Sequence, residues 1–169
     1  MVENLSLSDS PSGGGVCLWE LEPQRVFEAD PSPLFHALCR VLAKENVVFE
    51  RLDDQVRTGF VDQSIVFSIS GNYLVASSQW RGEIPVARAA DVLGLCHEWN
   101  LHQLMPSLRF HNRDAETLAL TAVRSFRVAE GVSFNQVGAF VVTSIDAFMA
   151  CWNNAAVQLP DYVSWDEEL

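Results

Sequence analysis

The sequence predicts an α+β fold in which helices pack against one antiparallel sheet. Apolar residues recur at helical spacing in three separate segments, and short runs with alternating apolar residues lie between them. The links between neighbouring runs are too short for the crossovers that parallel strands need, so the strands are antiparallel. The predicted order of elements is α-β-β-β-β-α-β-β-α.

The domain is predicted to open at Asp30-Pro31-Ser32-Pro33, with a first helix that begins at Pro33 and ends at about Glu45. Ser32 can accept hydrogen bonds from the first free amides, and Pro33 occupies the first helical position, where a missing N–H has no cost. Apolar residues then recur at helical spacing, namely Leu34, Leu38, Val41 and Leu42.

Four extended runs follow the first helix and predict an antiparallel meander. Ile65, Phe67 and Ile69 alternate along one run, which places them on one face of a strand. Turn residues, such as Asp53-Asp54 and Gly71-Asn72, separate the runs. The predicted strands are Val47–Leu52, Val56–Val61, Ser64–Ser70 and Tyr73–Trp80.

A second helix begins at Pro85 in this prediction, and a hairpin follows it. One side of the helix carries apolar residues at helical spacing, namely Ala89, Val92, Leu93, Cys96 and Trp99. The hairpin consists of Leu108–His111 and Thr117–Val128, joined by the turn residues Asn112-Arg113-Asp114.

The last helix has the strongest start signal in the chain. Ser133 is the predicted N-cap and Gln136 lies three residues later, which is the spacing of a capping box. Val132 before the cap and Val137 after it form a hydrophobic staple. One arc of this helix is expected to face the core, and it carries Phe134, Val137, Val141, Ile145, Phe148, Met149 and Trp152.

The acidic residues are concentrated at the two ends of the chain. The formal net charge of the 169 residues is −11, whereas residues 31–160 carry only −2. We therefore predict an acidic, largely disordered extension at 1–30, one folded domain at 31–160 and an acidic tail at 161–169. Acidic ends repel phosphate backbones, so no nucleic-acid partner is expected. Docking of the ends on a basic partner is the alternative.

The cysteines and the apolar segments favour a cytoplasmic protein. The four cysteines, at positions 17, 39, 96 and 151, are far apart and form no C-x-x-C pair. That spacing favours reduced, buried thiols over a zinc site or a disulfide scaffold. The first residues lack the pattern of a signal peptide. Val132–Trp152 is interrupted by polar residues, so no membrane span is expected.

Catalytic, metal-binding and cofactor-binding motifs are not found, so no catalytic residue, metal or cofactor is predicted. His97 and His102 are five residues apart, whereas histidines that share a metal on one helix are four apart. Gly13-Gly14-Gly15 has no following Lys-Ser/Thr, so it is interpreted as a spacer. Asp53-Asp54 is interpreted as a turn. Arg109, Arg113, Arg124 and Arg127 could line an anion-binding patch, although Asp114 and Glu116 among them favour a solvated mixed face.

Three short segments carry a family resemblance. They are Cys96-His97-Glu98-Trp99-Asn100, Met105-Pro106-Ser107-Leu108-Arg109-Phe110 and Gly131-Val132-Ser133-Phe134-Asn135-Gln136, with Leu159-Pro160 closing the domain. With these, residues 32–160 resemble the bacterial YbjN-domain family, whose members are named as sensory transduction regulators. The resemblance implies the type III secretion chaperone-like fold and implies binding rather than catalysis. Trp99, Asn100 and Pro106 are the signature positions, with structural roles, and the ring of Trp99 is expected to lie against the sheet.

We accordingly expect a non-enzymatic protein–protein interaction module, a regulator or chaperone-like protein with an unidentified protein client. A small-molecule sensor with a pocket between sheet and helices is the alternative, and an enzyme is a third hypothesis. A homodimer through the last helix is expected, because Asp146 is the only charged residue between Ser133 and Leu159. The candidate interface is Gln136, Ala139, Phe140, Thr143, Ala147, Ala150 and Asn154. Burial of this face by the strands or by the segment around Trp19 is the rival interpretation.

Overall fold

The structure, a computed structural model, describes residues 31–163 and Trp165. The predictions for residues 1–30 and for most of the acidic tail lie outside these residues. Three α-helices are present: α1 (Pro31–Lys44), α2 (Ala89–His102) and α3 (Phe134–Gln158). A 3-10 turn at Val86–Arg88 precedes α2, and another at Pro160–Tyr162 follows α3.

Seven strands form one antiparallel sheet. They are β1 (Phe49–Arg51), β2 (Gln55–Gly59), β3 (Gln63–Ser70), β4 (Tyr73–Trp80), β5 (Ile84–Pro85), β6 (Ser107–Asn112) and β7 (Thr117–Arg127). Each of β1 to β4 pairs with the next, β4 pairs with β7, and β7 also pairs with β5 and β6. The predicted α+β class and order of elements are confirmed.

Side chains alternate between the two faces of the sheet, and the helices cover one of them. Ile65 and Phe67 of β3 and Leu74 and Ala76 of β4 are fully buried, whereas Val66 between them is only partly buried. This period of two fixes the register, because a slip by one residue would move the apolar set to the other face. On β7, cross-strand pairing with buried residues of β4 places Ala122, Arg124 and Phe126 on the helix side.

A short polar network lies within the core under α3. Trp152 donates from Nε1 to the hydroxyl of Ser78 at 2.8 Å, and that hydroxyl donates to Oε1 of Gln63 at 2.7 Å. All three side chains are fully buried. The network joins α3 to β3 and β4, and because buried polar groups must be paired, it favours a single position of the helix on the sheet.

The start of α3 confirms the predicted capping box. Ser133 Oγ accepts from the amide of Gln136, and Gln136 Oε1 accepts from the amide of Ser133 at 2.8 Å. Val132 and Val137, the predicted staple, are both buried. The capping box and the hydrophobic staple both depend on residues close in sequence. For that reason the sequence alone predicted where α3 begins.

By length and composition, α3 is the one helix of the described residues that could cross a membrane. From the sequence we expected its polar residues to exclude a span, but they lower the mean hydropathy of the helix less than that expectation assumed. In this fold, 33% of its most apolar stretch is buried inside the structure.

Three details differ from the sequence prediction. The α1 helix begins at Pro31, so Ser32 lies within it rather than before it. The two-residue strand β5 was not predicted, because its pairing with β7 comes from tertiary contacts rather than from a repeating pattern. It contains Pro85, which the sequence placed at the start of the second helix, whereas α2 begins at Ala89. On α2, Leu95 is buried and Leu93 is exposed, whereas the sequence placed Leu93 inward. Apolar residues on both sides of α2 make its buried side ambiguous in sequence.

Candidate functional site

The three signature positions lie together where α2 meets β6. Trp99 donates from Nε1 to the carbonyl oxygen of Pro106 at 2.8 Å. Asn100 donates from Nδ2 to the carbonyl oxygen of Leu108 at 2.6 Å and accepts from the amide of Leu108 at 2.8 Å. Trp99 packs against the core but remains partly exposed. This junction fixes the end of α2 on the sheet and thereby orients its outer face.

The outer face of α2 and the loop after it expose four large apolar side chains. They are Leu93 at 59% exposure, Leu101 at 67%, Leu104 at 92% and Met105 at 51%. We call these four residues the α2 apolar surface. Leu93 and Leu101 are eight residues apart and lie on one side of the helix. The inward residues Val92, Leu95 and Cys96 are buried, so α2 is apolar on both sides.

Two open grooves lie between α2 and the end of α3. One has a volume of about 450 Å³ and is bounded by Arg88, Asp91 and Gly94. The other, of about 140 Å³, is lined by Trp99, His102 and Asn154. Glu98 and Gln158 line both, so the two grooves are continuous. They lie on the side of α2 that faces the end of α3, and the four residues of the α2 apolar surface do not line them.

Most of the predicted interface residues on α3 face outward, but Phe140 does not. Gln136, Ala139, Thr143 and Ala150 are exposed, and Ala147 and Asn154 are partly buried. Phe140 is only 7% exposed, so its assignment to the outer face was wrong. The chain itself covers this part of the helix.

Phe140 is buried because the end of β7 extends under this side of α3. Its ring stacks on that of Phe126 with centroids 5.5 Å apart and an interplanar angle of 22°. The guanidinium of Arg124 lies 5.5 Å from the centroid of the same ring. Because β7 reaches past α3, it covers a wider arc of the helix surface than the stripe of core-facing residues that helical spacing predicts.

Arg124 is held between β7 and α3 without an acidic partner. Its Nη1 donates to the hydroxyls of Thr143 at 3.0 Å and Ser144 at 3.2 Å. Those hydroxyls donate in turn to the carbonyl oxygens of Ala139 and Phe140, each at 2.6 Å. The buried Nε of Arg124 has no acceptor, and the ion pairs found within the described chain do not include this residue. Burial lowers the pKa of this guanidinium.

The four arginines considered as one patch are not brought together. Arg124 faces the helices, whereas Arg109 pairs across from Thr121 and Arg127 across from Tyr73, on the other face of the sheet. Arg127 also forms a 2.8 Å ion pair with Glu130. The sequence did contain a sign that Arg124 faces inward. It follows Leu118, Leu120 and Ala122 at every second position of β7, and these three residues are buried.

The remaining polar candidates do not converge on a reactive centre. His97 and His102 are exposed, and the described residues contain no group of three metal-ligating side chains. Asp53 and Asp54 lie in the turn between β1 and β2. Asp114 closes the β6–β7 turn by accepting from the amides of Glu116 and Thr117, each at 2.8 Å. Burial raises the pKa of the Cys96 and Cys151 thiols to about 11 and about 12.

Two further grooves flank the first turns of α3. One, of about 480 Å³, is lined by Gly131, Val132, Ser133 and Gln136. The other, of about 320 Å³, lies between the end of α1 and Phe134. Ala139 lines both, so the outer face of α3 runs between them.

No family model matches the chain, and no curated protein sequence matches it at a significant level. Among solved structures, the crystal structure of YbjN, a candidate transcription regulator from E. coli, is similar to this chain with a TM-score of 0.61. The two share 19% sequence identity, and the similarity covers 73% of this chain and 93% of that chain. The fold of this chain is therefore a YbjN-like α+β fold.

Proposed function

We propose that this protein is a non-enzymatic protein–protein interaction module, a regulator or chaperone-like protein that holds a protein partner against α2. The α2 apolar surface is the observation that carries this proposal. Four large apolar side chains on one helix and its loop cost free energy when they face water. A partner with an apolar face would bury them, and the small residues Ala90 and Gly94 on the same helix would let its backbone approach closely.

The chemistry of the described residues supports binding over catalysis. Enzyme sites gather titratable groups with shifted pKa values in one cleft. Here the shifted groups do not form an acid–base cluster: Asp114 lies in a surface turn and Asp62 just before β3. Cys39 lies on α1 and Arg124 on β7, and only the buried Cys96 and Cys151 thiols interact with each other. The likeness to YbjN, which is named as a candidate regulator, supports the same choice by analogy of fold.

The sensor alternative requires space between the sheet and the helices. That region is filled by large side chains, including Phe35, Phe67 and Phe148, which are fully buried. Two donors there, Nε2 of Gln63 and Nε1 of Trp80, are buried without an acceptor. A single buried water beside each is the smallest group that would satisfy them, so they do not require a larger ligand.

The proposal is tested by comparing partners of the wild-type protein with those of two variants. Leu101→Glu with Leu104→Glu places charge on the α2 apolar surface. Val48→Glu with Val61→Glu is the matched control, because these valines are 89% and 67% exposed and lie near β1 and β2. Each protein is used to capture partners from the cytosol, which are quantified by mass spectrometry.

We expect the wild-type and control proteins to retain one shared partner that the α2 variant loses. Equal melting temperatures of the three proteins would exclude unfolding as the reason. Recovery of the same partners by the α2 variant would refute the assignment of binding to α2.

A further inference from the structure

Two unpaired charges of opposite sign lie on the same side of the molecule. Arg124 keeps a buried Nε without an acceptor, and its guanidinium is fixed by the hydroxyls of Thr143 and Ser144. Asp146, three residues after Thr143 on α3, is exposed and belongs to none of the ion pairs in the described part of the chain. A partly buried cation without a partner is costly, whereas an added carboxylate offsets that cost.

The outer residues of α3 have a palindromic arrangement. Six of them are spaced by three, four, three, four and three residues, which places them in one stripe along the helix. From either end the stripe begins with an amide and then an alanine, and its two central residues are Thr143 and Asp146. We call these residues the α3 stripe: Gln136, Ala139, Thr143, Asp146, Ala150 and Asn153.

We propose that two copies of this chain pair through their α3 stripes in antiparallel orientation, with Arg124 of each copy bound to Asp146 of the other. In this register Ala139 faces Ala150 of the second copy, so the helices can approach closely. Gln136 faces Asn153, and the two amides can exchange hydrogen bonds. Thr143 faces Asp146, which brings the carboxylate beside the guanidinium that the Thr143 hydroxyl holds. Each copy thereby supplies the acid that the other lacks.

A third feature agrees with this register and was not used to derive it. Val157 continues the spacing of the α3 stripe and is 80% exposed. The same register carries it past Phe134, the first residue of α3 in the second copy, toward position 132. That position lies in the open groove of about 480 Å³ lined by Val132, Ser133 and Gln136. The exposed valine of one copy therefore enters the groove of the other.

A second copy explains the two charges better than other occupants do. A phosphate or another polyanion would meet a single guanidinium here, because Arg127 faces the other side of the sheet and is paired with Glu130. One carboxylate neutralises one guanidinium, and it would approach the terminal nitrogens because Nε is enclosed within the chain. The proposal is independent of what binds to α2, since the α2 apolar surface lies outside the stripe.

The register is tested by crosslinking in the full-length protein. In a Cys17→Ser, Cys39→Ser background, Ala139→Cys is combined with Ala150→Cys, and a short thiol crosslinker is added. The combined variant should form a covalent dimer. Each single variant should not, because identical positions lie about 16 Å apart along the axis in this register. Equal crosslinking of a single variant would overturn the register.

The ion pair is tested by the change Asp146→Lys, with Asp53→Lys as the control of equal charge in an exposed turn. Sedimentation equilibrium should show a wild-type dimer in the micromolar range. The dimer dissociation constant should rise roughly tenfold or more in Asp146→Lys and stay unchanged in Asp53→Lys. A wild-type protein that is monomeric throughout this range, or an unchanged constant in Asp146→Lys, would overturn the proposal.

Discussion

The side-chain amide of Asn100 forms two hydrogen bonds with the backbone of Leu108, one donated and one accepted. It occupies the place that a neighbouring strand would take beside the start of β6. Because the amide satisfies both backbone groups at once, a shorter or charged side chain cannot replace it. The Trp99-Asn100 signature thus acts as a connection between helix and strand.

Asn100→Ala should lower the free energy of unfolding by about 1–3 kcal/mol, because both backbone groups of Leu108 lose their partner. The lower end of that range is expected, since Asn100 is exposed enough for water to replace part of the bonding. Urea denaturation measures the change. Gln103→Ala, just after α2, serves as the control, and an equal loss in both variants would contradict the role assigned to Asn100.

Trp99→Phe should separate the indole hydrogen bond from the packing of the ring. Loss of the bond to the Pro106 carbonyl should cost about 0.5–1.5 kcal/mol. Trp99→Ala should cost more, because it also removes apolar contacts with the core. Thermal melts of the three proteins should therefore rank wild type first, the phenylalanine variant second and the alanine variant last. A phenylalanine variant as stable as wild type would show that the hydrogen bond contributes nothing.

Ser78→Ala should destabilise the fold by about 1–3 kcal/mol, since it leaves Trp152 Nε1 without an acceptor and Gln63 Oε1 without a donor. Ser77→Ala, on the opposite face of the same strand, should have little effect. A double-mutant cycle with Trp152→Phe should give a coupling energy of about 0.5–3 kcal/mol. Strict additivity of the two changes would mean that the network does not act as a unit.

Phe140→Ala should cost about 3–5 kcal/mol, because the ring is packed between Phe126 and Arg124 inside one chain. The loss should be the same at low and high protein concentration, as expected for a core residue. A loss that grows with concentration would instead assign Phe140 to the contact between copies. Denaturation at two concentrations distinguishes these outcomes.

Cys96 and Cys151 should resist alkylation at pH 8 in the folded protein and react fully in denaturant. Burial raises their pKa values from 9.0 to about 11 and about 12, so the thiolate is scarce. Because the folded pKa exceeds the unfolded one, this contribution to stability is complete below pH 9 and is lost as pH rises toward 11 and 12. Mass spectrometry of alkylated peptides measures the first effect and alkaline melts the second. Rapid labelling of Cys151 at pH 8 would contradict both.

The elements that local chemistry determines could be predicted from the sequence. The capping box of Ser133 and Gln136 involves only neighbours in the chain, and the alternation along β3 directly reflects its two faces. Most of the buried side of α2 could be predicted too, since Val92 and Cys96 are buried as expected. Leu93 and Leu95 are equally apolar, so the sequence alone does not decide which of the two is buried.

Only part of the candidate site on α3 could be predicted, because some of its residues depend on local spacing and others on tertiary contacts. The outward position of Gln136, Ala139 and Thr143 follows from helical spacing. The burial of Phe140 and the orientation of Arg124 depend on how far β7 extends under α3, which is a tertiary distance. The alternation of buried residues along β7 places Arg124 on the core-facing side. Because a charged residue is unusual at such a position, Arg124 was grouped with the neighbouring arginines in the sequence instead.

The position of α3 after all seven strands has a consequence for synthesis of the protein. Until residues 134–158 have left the ribosome, β4 and β7 lack the helix that contacts them, although α1 and α2 have already emerged. A nascent chain paused at that stage would expose part of the apolar face of the sheet, which is the kind of surface that cellular chaperones bind. The capping box favours the first turn of α3 from residues that emerge together, so this helix can start to form before it reaches the sheet.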